Sequence, residues 1–557
     1  MTTIKHEIRR GAYYDSVVLM QLQRGLLTLP DVLDAGVVMA TQANCDLLAA
    51  NQLLPASVAS SPDDLLVVVK AASDSAASDA LRQVDALLAK RRTSMAEDFR
   101  PRSLSAAAKQ LPEANWVLIS VPGRYAAGVA RETLELGKNV FLYSDNVSLE
   151  DEIALKKTAR EKGLLVMGPD CGTAIINGIG LGFANRVRRG DIGVIGASGT
   201  GTQAVTAQIH NLGAGISHAI GTGGRDLKLD VGAITAHQAL DLLARDDETK
   251  VIVLVSKPPS PEVATSLISA AQRAGKPVVV YFIGYPPPAR KIGNLHFAIS
   301  LSEAAELAVE IKNWKPETKS QVSSLYLRGL FSGGTLAYET LLGLQSFLSP
   351  IYSNAPITNY QLLKDPLKSE AHSIIDLGDE FFMVGRLHPM IDNDLRIRRM
   401  KQEADDSEVG MILFDVVLGE GSHLDPAGEL VPVIKEMREK RLETGDLEFV
   451  AMVIGTDDDP QNLESQVSQL QDAGVTVFRT AAEAVEYISL RFSVIKKNDF
   501  TPVNLEQLKQ PLAAVNVGLE SFYDSLISQG AQAVHVEWRP PAGGNEKLAS
   551  LLARMKK

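Results

Sequence analysis

Six short runs in this sequence combine glycine with hydroxyl, cationic or imidazole side chains where an apolar strand pattern ends. Gly196-Ala197-Ser198-Gly199-Thr200-Gly201 follows the run Asp191–Ile195 and precedes a helical pattern. Small residues there let backbone N–H groups approach an anion at a helix N-terminus, and Ser198, Thr200 and Thr202 add hydroxyl donors. The same residues also suit a tight strand-to-helix turn. No Gly-Lys-Ser/Thr follows, so this is not a Walker loop. Gly221-Thr222-Gly223-Gly224-Arg225-Asp226 sets a guanidinium beside glycines, which suits a carboxylate clamp or a locally paired turn. Phe331-Ser332-Gly333-Gly334-Thr335-Leu336 repeats the strand–glycine–helix plan, and two such loops suggest two halves facing one cleft. Gly385-Arg386-Leu387-His388-Pro389-Met390-Ile391-Asp392 follows Asp376-Leu377-Gly378-Asp379-Glu380. It reads as an acid/base or anion site, or as a surface loop pinned by proline. Gly419-Glu420-Gly421-Ser422-His423-Leu424-Asp425-Pro426 puts His423 and Asp425 at a strand end. In Gly168-Pro169-Asp170-Cys171-Gly172-Thr173, Cys171 is either a nucleophile or a buried free thiol. The nine His show no His-x-x-x-His spacing and the two Cys no Cys-x-x-Cys, so no metal site is expected.

The elements that must position these groups repeat one unit: a Val/Ile-rich run, a glycine turn, then a helical pattern. Trp116–Val121 precedes Arg124–Leu136, Lys250–Val255 precedes Pro261–Ala274, and Val409–Leu418 precedes Leu430–Arg441. Continuous apolar strands imply burial on both faces, hence parallel sheets covered by helices. Such sheets bind ligands at the carboxyl ends of their strands, where the glycine turns fall. The composition breaks predict a small α/β unit over 1–95, a CoA-binding-like α/β region over 96–187, and two flavodoxin-like parallel-sheet domains over 188–320 and 321–499. Residues 500–557 read as a C-terminal appendage. Thr93–Arg102 and Asn313–Ser324 read as linkers.

Length and charge bound the rest. The 557 residues carry 56 Lys+Arg against 67 Asp+Glu, a formal charge of −11, with 45% hydrophobic residues. That is globular composition with no basic face for nucleic acid. No apolar run approaches the ~20 residues that span a bilayer. The charged N-terminus does not read as a signal peptide, and Cys45 and Cys171 form no disulfide framework, so a cytoplasmic location is expected.

Several long motifs together carry a family resemblance. GPDCGTAI, DIGVIGASGTGTQ and IGTGGRDL are similar to segments of the succinyl-CoA synthetase α-subunit, and Ser373–Gly428 resembles the carboxyl-terminal domain of its β-subunit. YYDSVVLM, SDNVSLEDE, KGLLVMGPDCGTAI, GRLHPMID and NVGL…VEWRPPAGGN resemble the FdrA proteins over nearly the whole chain. The superfamily's Gly-His-Ala-Gly phosphohistidine loop is not found after Pro277–Ile283. That place holds GYPPPARKIGNLHFAISLSEAA, and His296 falls in the following strand and is expected to be structural. No segment resembles an ATP-grasp domain, and Arg10-Gly11-Ala12-Tyr13 stands where a Rossmann fingerprint would be.

The FdrA resemblance implies a subunit of oxamate carbamoyltransferase, moving a carbamoyl group between oxalurate and phosphate. The superfamily implies, as the alternative, an ADP-forming acyl-CoA synthetase; a non-catalytic scaffold is a third reading. For the transferase, the expected catalytic residues are His388, Arg386 and Arg225. Ser198, Gly199, Thr200, Gly223, Gly224, Gly333, Gly334 and Thr335 are expected to bind phosphate and substrate. No cofactor is required, CoA is possible, and other subunits are the expected partners in a homo- or hetero-oligomer. Trp538 and the turn Arg539–Gly544 are expected to anchor that interface.

Overall fold

The computed structural model describes residues 2–12, 14, 16–54, 58, 60–62, 64–89, 100–311, 325–357, 361–441, 447–492 and 500–540. Two compact units emerge, one of 1–186, 219–224 and 501–557, the other of 187–218 and 225–500. The linkers expected at Thr93–Arg102 and Asn313–Ser324 lie largely or wholly outside the described residues, as does most of the turn Arg539–Gly544.

The first unit opens with an antiparallel sheet in which Leu65–Ala71 lies between Thr3–Arg9 and Val32–Met39. Its middle strand, LLVVVKA, shows no polar alternation because both faces are covered. Leu65, Val67 and Val69 pack with Leu19, Leu22, Leu26 and Ala80, whereas Leu66 and Val68 pack with Leu48 and Leu53.

The same unit then builds a five-stranded parallel sheet in the order Gln532–Val536, Ala513–Val517, Trp116–Ile119, Asn139–Leu142, Val166–Met167. This corrects the expected appendage. Residues 513–517 pair directly with 116–119, from Ala514 opposite Trp116 to Val517 opposite Ile119. Val515, Val517 and Val536 join Val117, Ile119 and Val140 in one core. The ring of Trp538, partly buried, lies 5.5 Å from that of Tyr125 and packs on this core. The helix Leu149–Lys162 on this sheet is specified locally. Ser148 caps it by accepting from Asp151 N, acids fill its first turn, Arg160 and Lys162 its last, and Gly163 closes it with φ 65°.

The second unit has two α/β lobes. In the first, Lys291–Ile292, Leu295–Phe297, Val278–Phe282, Val251–Ser256 and Arg189–Ala197 lie in that order, parallel except for the edge hairpin Lys291–Ile292/Leu295–Phe297. In the second, all six strands are parallel, in the order Ile351–Ser353, His372–Asp376, Tyr326–Phe331, Val409–Val417, Glu448–Ile454, Thr476–Phe478. Strand order reverses between Tyr326–Phe331 and Val409–Val417, so the crevice of this lobe opens at their carboxyl ends. Tyr285 OH to Ser346 Oγ (2.7 Å) and Gly293 N to Glu486 Oε1 (2.9 Å) join the two lobes.

Candidate functional site

In the first lobe the loop after Arg189–Ala197 feeds the helix Gly199–Asn211. Ser198 is its N-cap, with Oγ accepting from Gly201 N at 3.2 Å, and Thr202 Oγ1 donates to Ser198 O at 2.7 Å. The Thr202 hydroxyl hydrogen is therefore used within the turn, where Ser198 Oγ serves as an acceptor. Gly199 and Thr200 keep N–H groups at a helix N-terminus, and Thr200 is exposed. The neighbouring strand ends supply cations. Arg225, Lys228 and Lys257 are exposed, and Ser260 N to Leu227 O (3.0 Å) ties their loops together. Buried Asp226 accepts from Ala236 N (2.9 Å) and Thr235 N (3.3 Å) at the start of the helix Ile234–Arg245, whose own N-cap is Ala233.

In the second lobe the loop after Tyr326–Phe331 starts the helix Gly334–Leu344, with Gly333 as an N-cap that has no side chain. Beneath it, buried Asp415 accepts from Ser332 N and Ser332 Oγ, both at 2.8 Å, and pairs with Arg396 Nη2 at 2.9 Å. Asp376, 8% exposed, closes the adjacent strand. Its Oδ1 accepts from Gly378 N at 2.9 Å. Burial holds its pKa above the ordinary carboxylate range against the Gly378 N–H, and the charges of Asp379 and Asp415 push the same way. A Cβ on Gly378 would meet both Asp376 Oδ1 and His388 Nε2 at 3.2 Å, so the loop carrying His388 folds back over this strand end. His388 Nδ1 accepts from Met390 N at 3.2 Å.

The residues expected to act thus separate. His388, Gly333 and Gly334 come together around Asp376. Arg386, on the loop with His388, is exposed, and Thr335 lies in the first turn of the helix. Ser198, Gly199, Thr200 and Arg225 belong to the first lobe. Among the described residues no hydrogen bond or ion pair joins the loops at 198–200 and 332–335. Sequence reasoning passed over Asp376, Ser332 and the Asp415–Arg396 pair. A charged residue inside the buried run Met411–Val417 was the available signal for Asp415.

His423 and Asp425 hold structure. His423 Nε2 pairs with Glu429 Oε2 (3.1 Å), and Asp425 Oδ1 accepts from Gln466 Nε2 (2.8 Å) and Gly428 N (3.0 Å). His296 lies in the strand Leu295–Phe297. Burial, and secondarily Lys291, keeps its pKa low.

In the first unit, 168–173 packs on 219–224. A Cβ on Gly223 would collide with Pro169 O and come within 2.9 Å of Gly168 Cα. Lys156, buried with Glu152 at 3.0 Å, donates to Thr222 O at 2.9 Å. Gly223 therefore sits in close contact with the 168–169 backbone. Burial pushes the Cys171 thiol up to about 12, so it is no thiolate nucleophile near neutral pH.

Comparison with known proteins places this geometry. Over 491 residues the chain is 41% identical to YahF of Escherichia coli (strain K12), covering 85% of this chain and 95% of YahF. The chain belongs to the YahF family. Family models match a CoA binding domain over 187–284, CoA-ligase over 330–490, and the heavy metal-associated domain of AllF over 1–102. Succinate–CoA ligase [ADP-forming] subunit alpha 2 of Archaeoglobus fulgidus is 30% identical over 189 residues, 33% of this chain and 63% of that subunit. The chain thus spans about three-fifths of that relative. The dinucleotide forming acetyl-coenzyme A synthetase 1 of Ca. Korarchaeum cryptofilum aligns over 68% of this chain and 82% of its own, at 19% identity and a TM-score of 0.28. The YahF-family chain thus has an α/β fold with segments that match the CoA binding and CoA-ligase family models.

Two groups implied by these matches can be tested against the residues. A heavy metal does not fit the N-terminal domain. The segment 10–15 between its first strand and helix has no Cys, and Gly11 N is bound to Asp64 Oδ1 at 3.0 Å. Cys45 packs among Ile4, Ile8 and Val38, and the described residues hold no cluster of three His, Cys, Asp or Glu. CoA does fit the first lobe: helix N–H groups beside Arg225, Lys228 and Lys257 are a donor set for a phosphorylated ligand.

Proposed function

We propose that this chain transfers an acyl group between a phosphate oxygen and the thiol of CoA, as an acyl-CoA-synthetase-type enzyme. The observation that carries the reading is the pairing of two strand–glycine–helix sites in one unit, at 196–201 and 331–334, within the segments matched by the CoA binding and CoA-ligase families. When bound, CoA supplies the accepting thiol. Gly199, Thr200, Arg225, Lys228 and Lys257 bind its phosphates. Gly333 and Gly334 receive the anionic end of the acyl donor, and the Asp415–Arg396 pair fixes Ser332 so that this loop keeps its geometry.

Carbamoyl transfer, suggested first by the FdrA-type motifs, is the second reading. It is favoured by one observation: after Val278–Phe282 the chain runs into the hairpin Lys291–Ile292/Leu295–Phe297 and carries no glycine-flanked His there. The family matches favour the CoA reading over it.

The binding half is tested by calorimetry with CoA on the full chain and on Thr200→Glu, which puts a carboxylate among the helix N–H groups. Affinity is expected to fall about tenfold, since the new carboxylate competes with the ligand phosphates for the helix N-terminus, where a negative charge is worth on the order of 1–2 kcal/mol. Unchanged CoA affinity in the folded variant would remove CoA from this loop.

A further inference from the structure

Resting on the acyl-transfer reading above, we propose that Asp376 and His388 are its proton-handling pair, acting on an acyl phosphate at the start of the helix Gly334–Leu344. Three observations point there. Asp376 is more than nine-tenths buried, yet only Oδ1 is hydrogen-bonded. Oδ2 takes no hydrogen bond from the described residues and lies 2.7 Å from the point a Cβ on Gly334 would occupy, so it faces the helix's first residue. His388 Nδ1 accepts from Met390 N, so the neutral ring carries its proton on Nε2, and Nε2 makes no hydrogen bond within the described chain. A ring in that tautomer has no lone pair at Nε2. His388 is therefore a donor to an anionic oxygen and not a phosphorylated nucleophile.

The two groups divide the work. The helix N–H groups and His388 Nε2–H hold the phosphoryl end of the donor. The thiol's S–H bond breaks and its proton passes to Asp376 Oδ2. The sulfur electron pair forms the bond to the acyl carbon while the carbon–oxygen bond to phosphate breaks. Phosphate leaves with that electron pair and recovers the proton from Asp376, giving a thioester and inorganic phosphate. The charges facing Asp376 are Asp379 and Asp415, which with burial make its carboxylate a stronger base than a solvated one, and His388, which opposes them together with the Gly378 N–H. Plain electrostatic capping of the helix by Asp376 is the competing account, and it assigns no role to the His388 proton.

The test uses the full chain, with Asp376→Asn, Asp376→Glu and His388→Gln. Thioester formation from acetyl phosphate and CoA is followed against pH, inorganic phosphate affinity by calorimetry, and the His388 ring by ¹⁵N NMR. Asp376→Asn is expected to lower kcat roughly 100-fold at unchanged phosphate affinity, with partial recovery in Asp376→Glu. His388→Gln is expected to weaken phosphate binding about tenfold. In the spectrum, both phosphate and Asp376→Asn should shift the His388 Nε2 signal. Wild-type rates in both variants would overturn the pair. If wild type makes no thioester, the acyl-transfer reading fails, and the NMR arm alone judges the pair: a His388 signal indifferent to phosphate and to residue 376 refutes it.

Discussion

His372 shows how burial sets the chemistry of a single group in this chain. Its Nδ1 accepts from Leu327 N at 3.1 Å, and its ring meets Tyr326 and Phe492 edge-on at 5.3 and 5.5 Å. Burial, with the nearby Arg328 charge, lowers its pKa from 6.5 to about 4. The folded state therefore binds the proton less readily than the unfolded chain. Stability from this site is complete above about pH 6.5 and is lost as pH falls toward 4, by about 3 kcal/mol at most. His372→Gln keeps an acceptor for Leu327 N without a titrating ring. Denaturant titrations should show a flatter slope for it between pH 6.5 and 4; parallel slopes for the two proteins would contradict the assignment. His388, by contrast, was legible as a candidate from its motif, but its partner Asp376 was not. Which acid in Asp376-Leu377-Gly378-Asp379-Glu380 turns inward depends on where the strand His372–Asp376 ends.

At the scale of elements, the glycine turns were readable because strand, glycine and helix recur, and the structure puts such turns at strand ends. What each turn does was not readable, since a glycine serves close backbone approach and ligand approach alike. The loop 221–226 illustrates this. Its glycines meet Cys171, Thr173 and Pro169, all far away in sequence, and Asp226 caps a helix eight residues on. Gly223 has φ 87°, and a side chain there would press on the 168–169 backbone. Gly223→Ala should destabilise the chain by on the order of 1–3 kcal/mol. A chemical-denaturation midpoint equal to wild type would show that the 168–173 loop yields freely.

For the whole chain, α/β class and parallel sheets followed from continuous apolar strands, whereas the fate of residues 500–540 did not. A strand such as Ala513–Val517 is five residues long, and its partner Trp116–Ile119 lies almost 400 positions away, a distance no local pattern spans. Because those residues sit inside the first unit's core, deleting 500–557 should unfold the five-stranded sheet and not merely detach a partner. Loss of cooperative melting of that unit is the expected result, and a truncated chain that melts like the full one would contradict the pairing.

The central claim is acyl transfer between phosphate and CoA. It is tested most directly by incubating the full-length chain with CoA and a panel of short acyl phosphates, carbamoyl phosphate included, and weighing the products by mass spectrometry. The account predicts an acyl-CoA thioester and one equivalent of inorganic phosphate from at least one acyl phosphate, with the rate reduced by Thr200→Glu. Turnover of carbamoyl phosphate with no CoA adduct from any donor would contradict it.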